Sequence, residues 1–302
     1  MSLHQMTPEF RAGGTDLSER RRSGISRGKI TDLVPTDLMT GVVWNPQGAA
    51  RLGAMVTIAT LAADARVQAA YPGLAAAAAG LATPQIRGVG TLGGNLAQRT
   101  RCWYFRNPHL ACLKKGDPVC PAREGNHLYG VAFDLGPCVA PHPSTLAAAL
   151  LAHDAAVTTS ERSNLTIAAL LGDGSEGTID NTLKPGEYIT HVDMPAPLER
   201  ERAGYRRAIS RTYAEWPLVE VVVRGVLAER RFEFIRVVAG GVAPVPVRFI
   251  EVEEALRSAA PDEAGIRKAA QLAIKHAKPL PATAYKLKLL EQEIAEVVQS
   301  LA

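Results

Sequence analysis

The only cysteines in the 302 residues are Cys102, Cys112, Cys120 and Cys138, and the first three fall within nineteen residues. Those three stand in the run NLAQRTRCWYFRNPHLACLKKGDPVC, among arginines, lysines and aromatic residues. The intervals of nine, seven and seventeen residues lack the close CxxC pairs of structural zinc sites. Disulfides suit an exported chain, yet the start, MSLHQMTPEF, has no charged-then-apolar leader pattern. Four thiolates on a loop also match the ligand set of a [4Fe–4S] cluster, which tolerates varied spacing. Arg99, Arg101, Arg106, Lys114 and Lys115 would favour thiolate over thiol and offset a negative cluster. Iron–sulfur is the favoured reading, with zinc and unliganded cysteines open beside it. His109, His127 and His142 leave room for a mixed Cys/His site, although loop histidines are more often surface or supporting residues. Trp103, Tyr104 and Phe105 read as core that anchors the loop.

Two glycine pairs form the second chemical feature: AGGTD at 12–16 and TLGGN at 91–95. Without Cβ atoms, backbone N–H groups can point together at an anion, and Thr15 or Asn95 can add side-chain hydrogen bonds. Either pair alone reads as a tight turn. Two pairs flanked by apolar segments suit a pyrophosphate and thus a nucleotide cofactor. Neither matches the GxGxxG fingerprint or a phosphate-loop lysine motif.

The elements that must position these residues follow from pattern. KITDLV predicts a strand, and RLGAMVTIATLA a strand followed by a helix. The helix formers after it break at Tyr71-Pro72-Gly73, and the alanine tract at 75–79 predicts a buried helix of small side chains. TPQIRGVGTLGGNL, rich in glycine, predicts a loop with short extended pieces. STLAAALLAHDAAVTTS predicts a helix turning into a strand, RSNLTIAALLGDG a strand leading into a short helix, and EYITHVDMP a strand. Two β-branched runs in WPLVEVVVRGVLAERRFEFIRVVAGG predict a hairpin. The tail predicts an amphipathic helix with Leu287, Leu290, Ile294 and Val297 on one face.

The polar stretch PLERERAG places a domain boundary near 198, giving domains 1–198, with the cysteine loop at about 98–142, and 199–302. Composition is 47% hydrophobic and 21% charged with net charge +4, ordinary for a globular protein and too weakly basic to argue for nucleic acid. The triplet Arg20 to Arg22 reads as a solvated face. No segment has the roughly 18–20 apolar residues of a membrane span. The expected location is therefore the cytoplasm. Periplasmic export would have to be carried by a partner with its own signal.

AGGTD, RLGAMVTIATLA, TPQIRGVGTLGGNL, LKPGEYITHVDMP and AGGVAPVPVR with PLPATAYKLKLL occur in an order that resembles one family. It is the FAD-binding medium subunit of the molybdenum hydroxylases, the xanthine dehydrogenase and carbon monoxide dehydrogenase family. QRTRCWYFRN, together with the four cysteines that begin in it, is similar to a narrower branch, aldehyde oxidoreductases whose FAD subunit carries an extra [4Fe–4S] cluster. The resemblance implies an α+β fold: a two-part FAD-binding domain, then a three-stranded antiparallel sheet with a helical bundle. It implies that Ala12, Gly13, Gly14, Thr15 and Asp16 wrap the FAD pyrophosphate from one side, and Thr91, Gly93, Gly94, Asn95 and Gln98 from the other. Further contacts are implied at Ile189, Thr190 and Arg206, with Cys102, Cys112, Cys120 and Cys138 as cluster ligands. The chain departs from its relatives in a shorter segment before AGGTD, in Thr145 where they often have aspartate, and in SERRRSG after AGGTD, which suggests an exposed first helix.

The function so implied is electron transfer within a heterotrimeric molybdenum-containing aldehyde oxidoreductase. A large partner would hold the molybdenum cofactor and a small partner the [2Fe–2S] clusters. FAD here would pass electrons to a ferredoxin-like or other acceptor, with no catalytic side chain in this chain. The cationic loop at Lys114 and Lys115 would steer an acidic partner. Alternatives are the medium subunit of a xanthine, N-heterocycle or hydroxybenzoyl-CoA enzyme, a single-chain flavin oxidase of the vanillyl-alcohol type, and a zinc-stabilised scaffold without flavin.

Overall fold

The structure is a computed structural model and describes residues 8–212, 214–258 and 260–302. A two-stranded parallel sheet pairs β1 (Glu9–Arg11) with β2 (Ile30–Asp32). Between them runs the helix Thr15–Arg22. A five-stranded sheet follows in the order β3-β4-β7-β5-β6, formed by β3 (Val42–Trp44), β4 (Ala50–Gly53), β5 (Ala156–Thr159), β6 (Leu165–Thr166) and β7 (Ile189–Met194). The final sheet has the order β11-β10-β9-β8, from β8 (Arg202–Ala208), β9 (Val219–Ala228), β10 (Arg231–Gly240) and β11 (Val247–Arg248).

β7 is central because both neighbours need its apolar face: Val192 pairs with Leu52 and Val157, and all three are fully buried. Against this sheet pack the helices Ile58–Ala63, Pro72–Gly80 and Thr145–Ala152. Their contact faces are Ala77, Ala78, Ala147, Ala148 and Ala149, fully buried, and such small side chains let helix axes approach closely. Leu61, Leu74, Leu96, Leu146 and Leu150 fill the remaining space. Truncating one of them to alanine removes about 2–5 kcal/mol. As expected, Tyr71 separates two helices, with Pro72 at the first position of the second.

β9 is apolar on consecutive residues because both faces of its sheet are covered. Val219, Val221 and Val223 face the helices Ile250–Ser258, Glu263–Gln271 and Tyr285–Leu301, whereas Val222 and Val238 join the core under the five-stranded sheet. The β9–β10 turn has Glu229 and Arg230 at φ 47° and 60°, the left-handed pair that matches strand twist in a tight hairpin.

Three expectations need correction. The C-terminal sheet gains a fourth strand, β11, paired antiparallel to Val238 and Ala239. Pro244 and Pro246 in APVPVR mask it, since proline usually signals a break. TPQIRGVGTLGGNL is not extended but forms the short helices Pro84–Val89 and Leu92–Leu96. Thr83 and Thr91 cap them by accepting the N–H of Ile86 and Gly94, enough to start helices that glycine would otherwise disfavour. Trp103 is not core: it is 62% exposed, whereas Phe105 is fully buried. The 98–142 segment is otherwise loops and turns around the one-turn helix Trp103–Arg106 and the 3-10 turn Leu113–Lys115. No helix among the described residues is long and apolar enough to cross a membrane.

Candidate functional site

Both glycine turns face one cavity of about 140 Å³, lined by Ala12, Gly13, Gly14, Thr15 and Asp16 on one side and Thr91, Gly94, Asn95 and Gln98 on the other. It shares Phe10, Ala12, Arg20, Gly94 and Ala97 with a second cavity of about 830 Å³, which runs past Gly93 and Ile189 to Lys184–Tyr188. A long ligand could therefore lie along both, with its middle between the turns.

The glycines are needed for approach. A Cβ at Gly13 would overlap the carbonyl oxygen of Val89, so the first turn can lie against the residues before TLGGN only without a side chain. Gly14, at φ 70°, caps the helix Thr15–Arg22 with no side-chain bond to its first turn. First-turn N–H groups have no intrahelical partner and carry the positive end of the helix dipole, which favours an anion. On the opposite wall Thr91 Oγ1 accepts the Gly94 N–H at 3.1 Å. Ser144 Oγ donates to Asn95 Oδ1 at 2.6 Å, and Gln98 Nε2 donates to the carbonyls of Asn95 and Pro143. Asn95 keeps its NH2 end as a donor, while the Gln98 amide mainly fixes the wall.

Asp16 does not present a bare carboxylate to this space. Arg20 Nε donates to it at 3.0 Å and Arg106 at 2.7 Å, and the Arg101 guanidinium lies 3.1 Å away. Burial pushes the Asp16 carboxyl up, but Arg101, Arg106 and Arg20 outweigh it and hold it below the ordinary range. Burial brings the Arg101 guanidinium down to about 10, so it remains cationic at neutral pH. Arg101 Nε is buried without a hydrogen-bond partner among the described residues. The rim is thus a cationic cluster gathered by acids, suited to phosphate oxygens.

This cluster also corrects the expected solvated face at Arg20 and Arg21, while Ser18 and Arg22 of the first helix are exposed as expected. Arg20 is buried between Glu9 and Asp16, and Arg21 donates to the Gly28 carbonyl. Sequence reasoning missed Arg20 and Phe10 as lining residues, since nothing local ties them to the second glycine pair.

Ile189 lines the second cavity, but the Thr190 hydroxyl turns to the Thr158 carbonyl at 3.1 Å. Arg206 is directed away, bonding Glu293 at 3.0 Å and pairing with Glu296 on the C-terminal helix. Its neighbour Arg207 lines the first cavity instead, because successive strand residues point to opposite faces.

All four cysteines are free thiols. Each sulfur receives backbone N–H groups: Tyr104 and Phe105 at Cys102, Lys114 at Cys112, Ala122 and Val139 at Cys120, and Ala140 at Cys138. Burial raises the Cys102 and Cys112 thiols above the ordinary value. Cys138 hydrogen-bonds Cys120, which lowers the Cys120 thiol and, with burial, raises that of Cys138. Among the described residues no group of three or more His, Cys, Asp or Glu side chains is arranged to hold a metal ion.

The expected cationic surroundings divide in two. Arg101 and Arg106 are taken by Asp16 and Glu19, and Arg99 by Asp180. Lys114 and Lys115 are buried: Lys114 pairs with Asp180 at 3.1 Å, and Lys115 donates to the carbonyls of Tyr104, Asn107 and Leu110. They fasten the loop and cannot steer a partner. Of the nearby histidines, His109 is exposed, His127 bridges the Ala122 carbonyl and the Ala282 N–H, and His142 is buried, accepting the Ser144 N–H.

Comparison with known proteins adds an independent line. Residues 4–197 match the family described as FAD binding domain in molybdopterin dehydrogenase, and residues 204–300 the CO dehydrogenase flavoprotein C-terminal domain. The aldehyde oxidoreductase FAD-binding subunit PaoB of Escherichia coli strain K12 is 31% identical over 299 residues, 96% of this chain and 90% of that protein. A xanthine dehydrogenase FAD-binding subunit of Escherichia coli O157:H7 is 36% identical over 86 residues, 28% of this chain and 30% of that one. In fold the chain is similar to quinoline 2-oxidoreductase from Pseudomonas putida 86, with TM-score 0.75 and 19% identity over 97% of this chain and 88% of that one. Carbon monoxide dehydrogenase from Hydrogenophaga pseudoflava gives the same score, identity and coverage.

Proposed function

From its membership of the FAD-binding subunit family of the molybdenum hydroxylases, of the xanthine and carbon monoxide dehydrogenase type, we propose that this oxidoreductase subunit serves an aldehyde-oxidising assembly. In it, a large partner holds the molybdenum cofactor and a small partner the [2Fe–2S] clusters, and this chain delivers electrons to an external acceptor. The aldehyde class rests on likeness to the PaoB subunit along nearly the whole chain, whereas likeness to the xanthine-type subunits spans about a quarter. The observation that carries the reading is the pair of glycine turns closing one cationic cavity from opposite sides.

The residues fit FAD. Gly13, Gly14, Thr15, Thr91, Gly94 and Asn95 would hold the pyrophosphate, the Thr15–Arg22 helix N-terminus and Arg101 would balance its charge, and Ile189 would bound one end. Gln98 and Asp16 act through their neighbours, fixing the wall and gathering the arginines. Bound FAD would supply one- and two-electron exchange that no side chain here provides. We place the division between the FAD-binding part, 1–198, and the C-terminal part, 199–302, at the polar turn after β7.

The cysteine loop is proposed as a [4Fe–4S] site with Cys102, Cys112, Cys120 and Cys138 as ligands. Backbone N–H groups reach every sulfur, and the Cys138 hydrogen bond draws the Cys120 thiol down. Such N–H groups stabilise sulfur-borne negative charge. The thiols would draw together around the cluster.

The test is flavin, iron and zinc per chain, on protein co-expressed with its neighbouring subunits and separated without oxygen. One flavin and about four irons are expected for this composition. Zinc at about one per chain with little iron would make the loop structural.

A further inference from the structure

We infer that Glu220 and Thr145 form a proton passage that serves FAD reduction, leading from a third cavity of about 590 Å³ into the cavity between the glycine turns. The inference deepens the proposed function and rests on its flavin reading. It requires the redox-active ring of FAD at the Thr145 end of that cavity, beside Arg207, Trp216 and Pro217.

The first observation is position. Glu220 lines the third cavity and Thr145 the cavity between the turns, and their side chains are hydrogen-bonded to each other. Both are buried, at 1% and 3% exposure, so their contact joins the two spaces through the protein interior.

The second is how the carboxyl is held. Glu220 stands on β9 between Arg207 of β8 and Gly240 of β10. It shares a strand face with Val222, which is core. A Cβ at Gly240 would overlap Glu220 Oε1, so the sheet leaves room for an acid inside that core. Tyr205 Oη donates to Glu220 Oε2 at 3.0 Å and also meets the Thr145 side chain.

The third is charge. Arg207 and Tyr205 face Glu220 from β8 and Thr145 faces it from its helix, while β10 offers Gly240. Around the third cavity stand Arg101, His127, His142, Arg211, Glu215 and Lys286. Burial raises the Glu220 carboxyl to about 7 and pushes Tyr205 far above its ordinary value. Of the three bonded side chains, Glu220 is therefore the one that gains and loses a proton near neutral pH. A carboxyl poised there is suited to proton transfer.

Two electrons and one proton convert FAD to FADH−, the electrons arriving from the partner clusters of the proposed assembly. Glu220 gives its proton to Thr145 Oγ1 as the Thr145 hydroxyl proton passes into the flavin cavity. The carboxylate left beside Arg207 takes a proton back from solvent through the third cavity.

The experiment is stopped-flow reduction of the full chain, loaded with FAD, by reduced methyl viologen, a one-electron donor without exchangeable protons. Rates are taken on both sides of neutral pH and per bound flavin, which is measured in the same samples. The rate is expected to fall as pH rises through about 7, because the protonated carboxyl is the donor. Glu220→Gln and Thr145→Val should each slow reduction about tenfold or more in the acid range and remove its pH dependence. Thr145→Ser, which keeps the hydroxyl, should retain the profile, so the threonine pair decides even where Glu220→Gln fails to fold. With FAD bound, a flat profile in the unaltered chain, or an unchanged profile in Thr145→Val or Glu220→Gln, would overturn the inference alone. A folded chain that holds no FAD would overturn the flavin reading and the inference with it.

Discussion

Gly13 and Glu220 show how much a single position can carry. At Gly13 a methyl group would meet the Val89 carbonyl, and nothing flexible lies there to give way. Gly13→Ala should therefore cost on the order of 1–3 kcal/mol and weaken FAD binding at least tenfold, read by denaturant unfolding and flavin titration. Glu220 is uncharged in acid and costly to ionise: burial raises its carboxyl from 4.5 to about 7, against bonds from Thr145 and Tyr205 and the nearby Arg207. Because the folded value is the higher one, stability is lost as pH rises from about 4.5 to 7, by on the order of 3 kcal/mol. Glu220→Gln keeps an acceptor for Tyr205 and should flatten that slope. Unfolding free energies at several pH values decide, and parallel curves for both proteins would count against the assignment. The thiols were legible because cysteine is rare and clustered here, and the glycine turns because each sets a glycine pair beside a small polar residue. Arg206 faces the C-terminal helix and Arg207 the cavity, a difference that only strand alternation decides. Lys114 looked like surface charge because its partner Asp180 lies far along the chain, and Lys115 because its partners are backbone carbonyls of the loop, which no residue type marks.

Among the elements, the cysteine loop depends on one buried junction. Asp180 receives Arg99 from the loop's start and Lys114 from its middle, holding the loop against the segment before β7. Burial opposes ionisation of Asp180, yet those two cations hold its carboxyl at about 2, below the ordinary 3.8. The contribution is complete above the unfolded value and is lost as pH falls from about 4 to 2, about 2 kcal/mol in all. Asp180→Asn should remove it and expose the loop to proteolysis between residues 107 and 127 while the rest stays resistant. Uniform resistance would show that the junction does not hold the loop. The long elements followed from periodicity, whereas the helices Pro84–Val89 and Leu92–Leu96 depend on threonine caps that glycine content concealed. β11 was hidden by the two prolines that precede it.

For the whole molecule, the C-terminal sheet is shared: one face closes its own helical core while Val222 and Val238 complete the core beneath the glycine turns. Arg224 of β9 adds a bond to Asp154 at 3.0 Å. A fragment ending at 198 should leave Leu74 and Leu146 without these neighbours and bind FAD at least tenfold more weakly than the full chain, as flavin titration would show. A fragment with full affinity would make the C-terminal part dispensable to the site. Alternation and order revealed both halves, but not that one sheet serves two cores, since a continuous apolar run says only that both faces are covered. The most direct measurement is FAD binding by the purified full chain beside Gly13→Ala. One tightly held FAD per chain, lost or weakened tenfold in the variant, is what the two-turn cradle predicts. A folded chain that binds no FAD, or binds it equally with alanine at that position, would contradict it.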